Sequence, residues 1–201
     1  MAVITKIETQ KNKLHRVNIF LDGEFFCAMP EIICAKYNLT TNSNVSEDFL
    51  KSLYFEIDKE TALNKAANYL NKGIKTESQI KTYLKKYGFD VIVTDFVIAK
   101  LKEYNYINDL NYALMYVNSY QKSWGKKKLE YNLKLKGIDK QIISQAINSI
   151  IDDEQIIFEI AKKFMSNKDN SFKNLKKLTQ HLAYKGFEWE KINSVINKFK
   201  G

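Results

Sequence analysis

The chain has 201 residues, 45% of them hydrophobic, and a net charge of +9 at pH 7. Its length allows a sizeable core, and one proline with seven glycines is typical of a mainly helical protein rather than of a disordered one. No apolar run approaches the roughly 20 residues of a membrane span, and the N-terminus lacks a signal-peptide core, so we expect a cytoplasmic protein with no membrane partner.

The N-terminal segment has the composition of a small sheet. Strands are predicted over residues 2–9, 15–21 and 24–29, which are rich in β-branched and aromatic side chains. Asp22-Gly23 joins the last two and is a strong hairpin signal. Because so small an antiparallel meander is marginal by itself, it must pack on a helix or on a partner.

Helical signals follow the predicted sheet. A short helix is expected over residues 30–37, with Pro30 in its first turn, and residues 38–45 form a polar loop. Ser46 then begins a helix. Over residues 51–72 the sequence is compatible with one long helix or with two that meet near Asp58.

A repeated unit accounts for the rest of the chain. Its glycines are Gly88, Gly137 and Gly186, so the period is 49 residues. We expect each glycine to end a helix in a left-handed conformation, and Asp90 and Asp139 to cap the helix that follows. The apolar pairs before the glycines are Ile80 and Leu84, Leu129 and Leu133, and Leu178 and Leu182.

Two further helices complete each unit. The helix after the glycine repeats the spacing i, i+3, i+4 and i+7, and ten of these twelve positions are bulky and apolar, which predicts a buried face. These positions are Thr94, Val97, Ile98 and Leu101; Ile143, Ala146, Ile147 and Ile150; and Ile192, Val195, Ile196 and Phe199. An earlier helix recurs around Ala66, Ala113 and Ala161.

The predicted fold is therefore mainly α: three tandem three-helix repeats in an elongated array, preceded by a small antiparallel β meander and short helices. The predicted boundaries are 1–57 for the N-terminal extension, 58–105 for repeat one, 106–151 for repeat two and 152–201 for repeat three.

Polar residues at the predicted helix starts are interpreted as caps. Thr76 and Gln79 have the spacing of a capping box, and Asn108 or Asp109 should cap the first helix of repeat two. Asp152, Asp153 and Glu154 occupy the matching place before repeat three. Carboxylates in pairs can perform acid–base chemistry, but capping is the expected role at these positions.

No motif of an enzyme stands out. The sequence has no phosphate-binding glycine loop, HExxH or GxSxG motif. His15, in a predicted strand, and His181, in a predicted helix, lack the companions that a metal ligand or a general base requires. Cys27 and Cys34 are interpreted as small buried hydrophobes. We therefore expect no catalytic residue, no metal site and no cofactor.

The lysines suggest an anionic partner. Lys126, Lys127 and Lys128 open the second helix of repeat two, where positive charge opposes the helix dipole and free N–H groups can meet phosphate or carboxylate. Arg16 is the only arginine, so anion contacts would be salt-sensitive point charges. Tyr120 and Trp124 flank these lysines and either stack on bases or, as we prefer for Trp124, fill the seam between repeats. The candidate binding residues are Lys72, Lys75, Lys126, Lys127, Lys128, Lys134, Lys136, Lys176, Lys177 and Lys185.

An ordered set of motifs in this chain resembles the RecX family. It comprises three three-helix repeats over residues 58–200, Tyr106-Ile107-Asn108-Asp109-x-x-Tyr112-Ala113, Trp124-Gly125, and Leu133-x-x-Lys136-Gly137-Ile138. The N-terminal β segment resembles the extension of some members. Members often carry arginines where this chain has Lys72 and Lys75, and a Ser-Glu pair where it has Thr76 and Glu77.

The resemblance implies a non-enzymatic modulator of the RecA recombinase. Such a protein binds the RecA filament on single-stranded DNA and damps its ATPase, strand exchange and coprotease activity, and we expect it to be a monomer. Two alternatives stay open. One is a protein that binds DNA by itself through helix-turn-helix-like repeats, and the other is a scaffold for a different acidic protein.

Overall fold

The computed structural model describes residues 1–10, 15–148, 150 and 154–200, which form four strands and ten helices. The chain divides into two compact units. The first comprises residues 1–71 and 83–100, and the second comprises residues 72–82 and 101–201.

The sheet lies in the first unit. Strands β1 (Ala2–Thr9), β2 (Arg16–Leu21) and β3 (Glu24–Pro30) form the predicted antiparallel meander, and β4 (Asn44–Val45) adds to it in the order β3-β2-β1-β4. The β2–β3 turn has positive φ at Asp22 (49°) and Gly23 (91°), as a tight hairpin requires. His15 precedes β2 with a φ of 61°, so it is a turn residue and its assignment to a strand was wrong.

Helices α1 (Glu31–Lys36) and α2 (Glu47–Leu70) follow the sheet. Pro30 is the N-cap residue of α1 rather than part of its first turn. The Ser46 hydroxyl caps α2 by accepting the Phe49 N–H, and α2 continues unbroken past Asp58. Leu53 of α2 packs in one core with Ile4, Ile19 and Met29 of the sheet, and this packing supplies the support that the small sheet requires.

The repeats are formed by the remaining helices together with the C-terminal part of α2. Repeat one adds α3 (Glu77–Lys86) and α4 (Val91–Glu103). Repeat two contains α5 (Asp109–Tyr120), α6 (Lys126–Leu135) and α7 (Lys140–Asn148), and repeat three contains α8 (Glu154–Met165), α9 (Phe172–Tyr184) and α10 (Trp189–Lys200). Eleven of the twelve positions predicted on the face of the third helices are buried, and Phe199 is half-buried.

The three glycines end their helices as predicted. Gly88, Gly137 and Gly186 have φ values of 83°, 75° and 82°. In each repeat the glycine N–H donates to the carbonyl three residues earlier, and the next N–H donates to the carbonyl five residues earlier. This pair of bonds is the Schellman stop, and it is the same in all three repeats.

Candidate anion-binding surface

The first turn of α3 contacts the C-terminal end of α6, both within the second unit. Thr76 and Gln79 form the predicted capping box, with reciprocal bonds of 3.0 and 3.2 Å. The Thr76 hydroxyl also donates to the Lys136 carbonyl oxygen at 2.7 Å. A Cβ at Gly137 would collide with the Ser78 side chain. The glycine that ends α6 therefore also permits this close approach.

The first turn of α6 contacts the C-terminal end of α9 in the equivalent way. The Gly125 N–H donates to the Lys185 carbonyl at 2.9 Å, and the Lys127 N–H donates to the Gly186 carbonyl at 3.2 Å. A Cβ at Gly125 would lie 2.6 Å from the Cα of Phe187. The contact thus requires a glycine on each side.

The contact between α6 and α9 changes our interpretation of the first turn of α6. The N–H groups of Gly125 and Lys127 already bind carbonyls of the next repeat, so the expectation that they were free for phosphate was wrong. Carbonyls at a helix C-terminus carry partial negative charge. The end of α9 therefore offsets part of the unfavourable positive charge of Lys126, Lys127 and Lys128.

Four of the ten candidate lysines have partners within the fold. Lys75 donates to the Gly73 carbonyl at 2.7 Å, and Lys185 donates to the Ser123 carbonyl at 3.2 Å. Lys128 lies 3.8 Å from the centre of the Tyr184 ring, and Lys136 lies over Tyr112 and Tyr116. A cation–π contact uses the charge of a lysine locally, so Lys128 and Lys136 are less available to a partner. The carbonyl acceptor of Lys185 carries no net charge, so the charge of that lysine is not offset.

The other six candidate lysines project outward. Lys126 is half-buried and the other five are exposed, and in the part of the chain that the structure describes none of the six has a hydrogen bond or ion pair. They are Lys72, Lys126, Lys127, Lys134, Lys176 and Lys177. All but Lys72 lie on α6 or α9.

Two exposed tyrosines accompany these lysines, and the sequence analysis missed them. Tyr131 on α6 is 61% exposed and Tyr184 on α9 is 76% exposed. Tyr131 lies four residues after Lys127 and three before Lys134, so the three share one side of α6. That spacing was the signal that could have identified it. We call half-buried Lys126 and exposed Lys127, Tyr131 and Lys134 of α6, together with exposed Lys176, Lys177 and Tyr184 of α9, the lysine ridges.

Trp124 and Tyr120 pack within repeat two. Their rings stack with centroids 4.3 Å apart and planes 6° apart, and Trp124 also contacts Tyr116. Lys128 lies 5.2 Å from the Trp124 ring. The ring contacts of half-buried Trp124 therefore lie within its own repeat, whereas we predicted that it fills the seam between repeats. Tyr120 is 38% exposed at the edge of the stack.

Asn108 and Asp109, at the junction of repeats one and two, cap helices. Asn108 caps α5 by accepting the Asn111 N–H at 2.9 Å. Asp109 instead accepts the Glu77 N–H at 2.9 Å and so caps α3 of the preceding repeat. Burial raises the pKa of Asp109. Burial also acts to raise the pKa of Glu77, but Lys102 and Lys81 outweigh it and hold that pKa below its usual value.

The matching acids before repeat three are only partly described. Asp152 and Asp153 lie outside the described residues. Glu154, the first residue of α8, pairs with Lys198 at 2.8 Å and accepts a hydrogen bond from the Ser194 hydroxyl at 2.6 Å. Its carboxylate therefore joins α8 to α10.

The remaining candidates for chemistry have structural surroundings. Cys27 and Cys34 are buried in the core beneath the sheet. Burial and, to a smaller extent, Cys34 raise the pKa of Cys27 to about 12 against a lowering effect of Arg16. His181 stacks on Phe164 with centroids 4.7 Å apart. Among the described residues, no three His, Cys, Asp or Glu side chains form a group able to hold a metal ion. None of the helices described here has the length and hydropathy to span a membrane.

Sequence profiles of one family match most of the chain. The profile described as "Regulatory protein RecX N-terminal domain" matches residues 2–46. Profiles for the first, second and third three-helix domains of RecX match residues 62–101, 108–147 and 151–196.

Whole proteins agree with the profiles. "Regulatory protein RecX" of Clostridium beijerinckii is 33% identical over 98% of this chain and 96% of its own length, and that of Clostridioides difficile is 34% identical over the same shares. A crystal structure of RecX from Lactobacillus salivarius aligns with a TM-score of 0.63 and 28% identity, covering 71% of this chain and 97% of its own. A second RecX crystal structure, 24% identical with a TM-score of 0.73 over 98% of this chain and 100% of its own, supports the fold.

Proposed function

Because this chain belongs to the RecX family of regulatory proteins, we propose that it binds the filament of a RecA recombinase on single-stranded DNA and inhibits it. It acts as a monomer in the cytoplasm and lowers ATP hydrolysis, strand exchange and coprotease activity. The family supports a regulatory role, and the net charge of +9 supports a polyanionic partner.

The lysine ridges are the observation that carries the proposal. The ammonium groups of the ridge lysines have no carboxylate partners within the described residues, so their positive charge is available to attract an anionic filament. Lysine is a point charge that binds phosphate or carboxylate without the fixed geometry of arginine. Repeats two and three each contribute one ridge, and linked weak contacts bind more tightly together than either does separately.

A titration of ATP turnover tests the proposed inhibition. Increasing amounts of the protein are added to RecA on single-stranded DNA, and ATP hydrolysis is measured at each ratio. We expect turnover to fall at substoichiometric amounts, since one regulator that bridges several recombinase subunits affects all of them. Unchanged turnover at an equimolar ratio would remove the proposal.

A second candidate is a protein that binds DNA by itself. The exposed Tyr131 favours it, because an aromatic ring beside lysines stacks on unpaired bases. Affinities for naked and for RecA-coated single-stranded DNA, measured at the same salt concentration, separate the two candidates. The filament regulator prefers the coated strand, whereas the DNA-binding protein binds the naked strand at least as well, with affinity that falls steeply with salt.

A further inference from the structure

A groove of about 790 Å³ lies in the second unit, where α8 and α9 meet the loop after α5. Its half-buried residues include Ile156, Ile160 and Phe164 of α8. Lys122 from the loop and Lys163 from α8 line it as exposed side chains. The groove thus combines apolar surface with cations, and none of the lysine-ridge residues lines it.

The charges of the groove are unbalanced. Lys122, Lys163 and Lys185 line it, and the one carboxylate among its described lining residues is Glu159, which pairs with Lys162 at 3.5 Å. The Lys185 ammonium donates to an uncharged acceptor, the Ser123 carbonyl. Burial lowers the pKa of Lys185, and Lys128 and Lys163 lower it further. A bound anion would relieve this repulsion.

The aromatic side chain of the groove is already engaged. The Phe164 ring has the His181 imidazole stacked on it and the Lys168 ammonium 3.5 Å from its centroid. These contacts occupy the surface on which a nucleic-acid base would stack. The aliphatic side chains of Ile156 and Ile160 suit apolar peptide side chains instead, so the groove favours a peptide over a nucleotide.

We propose that this groove binds an acidic peptide segment of a partner protein. Carboxylates of the segment meet Lys122, Lys163 and Lys185, and its aliphatic side chains lie on Ile156 and Ile160. The positive charge of the groove complements the negative charge of an acidic peptide, and the apolar centre of the groove can bind the aliphatic side chains of that peptide. Protein grooves commonly recognise peptides in this way. The proposal goes beyond recombinase binding, and its test uses no recombinase.

Binding of a short labelled peptide that alternates leucine and glutamate tests the groove. Fluorescence anisotropy gives the affinity, and NMR signals of the imidazoles locate the site, because the chain has only two histidines, His15 and His181. We expect saturable, salt-sensitive binding that shifts the His181 signals and leaves those of His15 in place.

Matched variants distinguish peptide binding in the groove from peptide binding to positive charge elsewhere on the protein. Lys122→Gln with Lys163→Gln should weaken binding about tenfold, and Ile156→Thr should weaken it while keeping every charge. Lys176→Gln with Lys177→Gln removes the same charge from the same unit outside the groove, and this variant should bind the peptide like the parent protein.

Three results would overturn the proposal. One is the absence of saturable peptide binding, and another is equal affinity of the parent and the Lys122→Gln, Lys163→Gln variant. The third is a thymidine oligonucleotide that shifts the His181 signals and displaces the peptide, because this would assign the groove to nucleic acid.

Discussion

The Thr76 hydroxyl donates a hydrogen bond to the carbonyl of Lys136, 60 residues later, while its oxygen accepts the N–H of Gln79. Thr76 is fully buried. One side chain therefore caps α3 and satisfies a carbonyl at the end of α6, and it joins two repeats at the point where their second helices meet.

Replacing this hydroxyl should destabilise the protein. Thr76→Val keeps the shape but leaves the Gln79 N–H and the Lys136 carbonyl without their partner, so we expect the free energy of unfolding to fall by about 2 kcal/mol. Thr76→Ser keeps the hydroxyl and should retain most of the stability. Urea denaturation measures both. Equal stability of the Val and Ser variants would show that the hydroxyl contributes nothing.

The repeat glycines should differ in their tolerance of alanine. All three have positive φ, so alanine costs about 1–2 kcal/mol of backbone strain at each. At Gly186 an added Cβ would also lie 2.6 Å from the Lys128 Cβ, whereas at Gly88 it meets nothing within 4 Å. Gly186→Ala should therefore lose more unfolding free energy than Gly88→Ala. Equal losses, measured by urea denaturation, would contradict the close packing of the junction.

Asp109 should be replaceable by an amide but not by alanine. Asp109→Asn keeps an oxygen for the Glu77 N–H and removes a charge that burial disfavours, so it should change stability little. Asp109→Ala leaves that N–H unpaired and should cost about 1 kcal/mol. The midpoints of thermal unfolding rank the variants, and an Asn variant as unstable as the Ala variant would refute the capping role.

His181 should make the fold weaker in mild acid. Burial lowers its pKa below the usual value of about 6.5, and Lys185, Lys168 and Lys128 act in the same direction. The unfolded chain therefore takes up the proton first, so stability is lost as pH falls below about 6.5 toward the folded-state pKa.

The variant His181→Tyr tests this pH dependence. Repeat one has Tyr83 at the same position, stacked on Tyr69, so tyrosine fits the repeat. Unfolding free energies between about pH 7 and pH 5 should decrease less steeply for the variant than for the parent. Identical slopes would show that His181 makes no contribution.

Local features of the fold were predictable from the sequence. Gly137 ends its helix, Asp90 caps α4, and Thr76 with Gln79 forms a capping box, because each depends on residues within a few positions along the chain. Strand β4 was not predicted, since two residues carry no periodicity and Val45 pairs with Ala2 across a long loop.

The candidate surface was predicted less well because its determinants are distant in sequence. The lysines of α6 could be identified as candidates from their charge alone. The sequence did not show which of them make contacts within the fold: Lys128 contacts the Tyr184 ring, whereas Lys127 does not. In the same way, Asp109 caps a helix that begins 32 residues earlier. Such partners follow from the stacking of repeats and have no local signal.

ATP turnover by RecA on single-stranded DNA tests the role of the lysine ridges most directly when two triple variants are compared. Lys127→Gln, Lys134→Gln and Lys176→Gln together remove charge from the ridges, while Lys6→Gln, Lys140→Gln and Lys200→Gln remove as much from exposed lysines elsewhere. We predict that the ridge variant requires at least about tenfold more protein for half-inhibition, whereas the control inhibits like the parent. Equal inhibition by the two variants would contradict binding through the ridges.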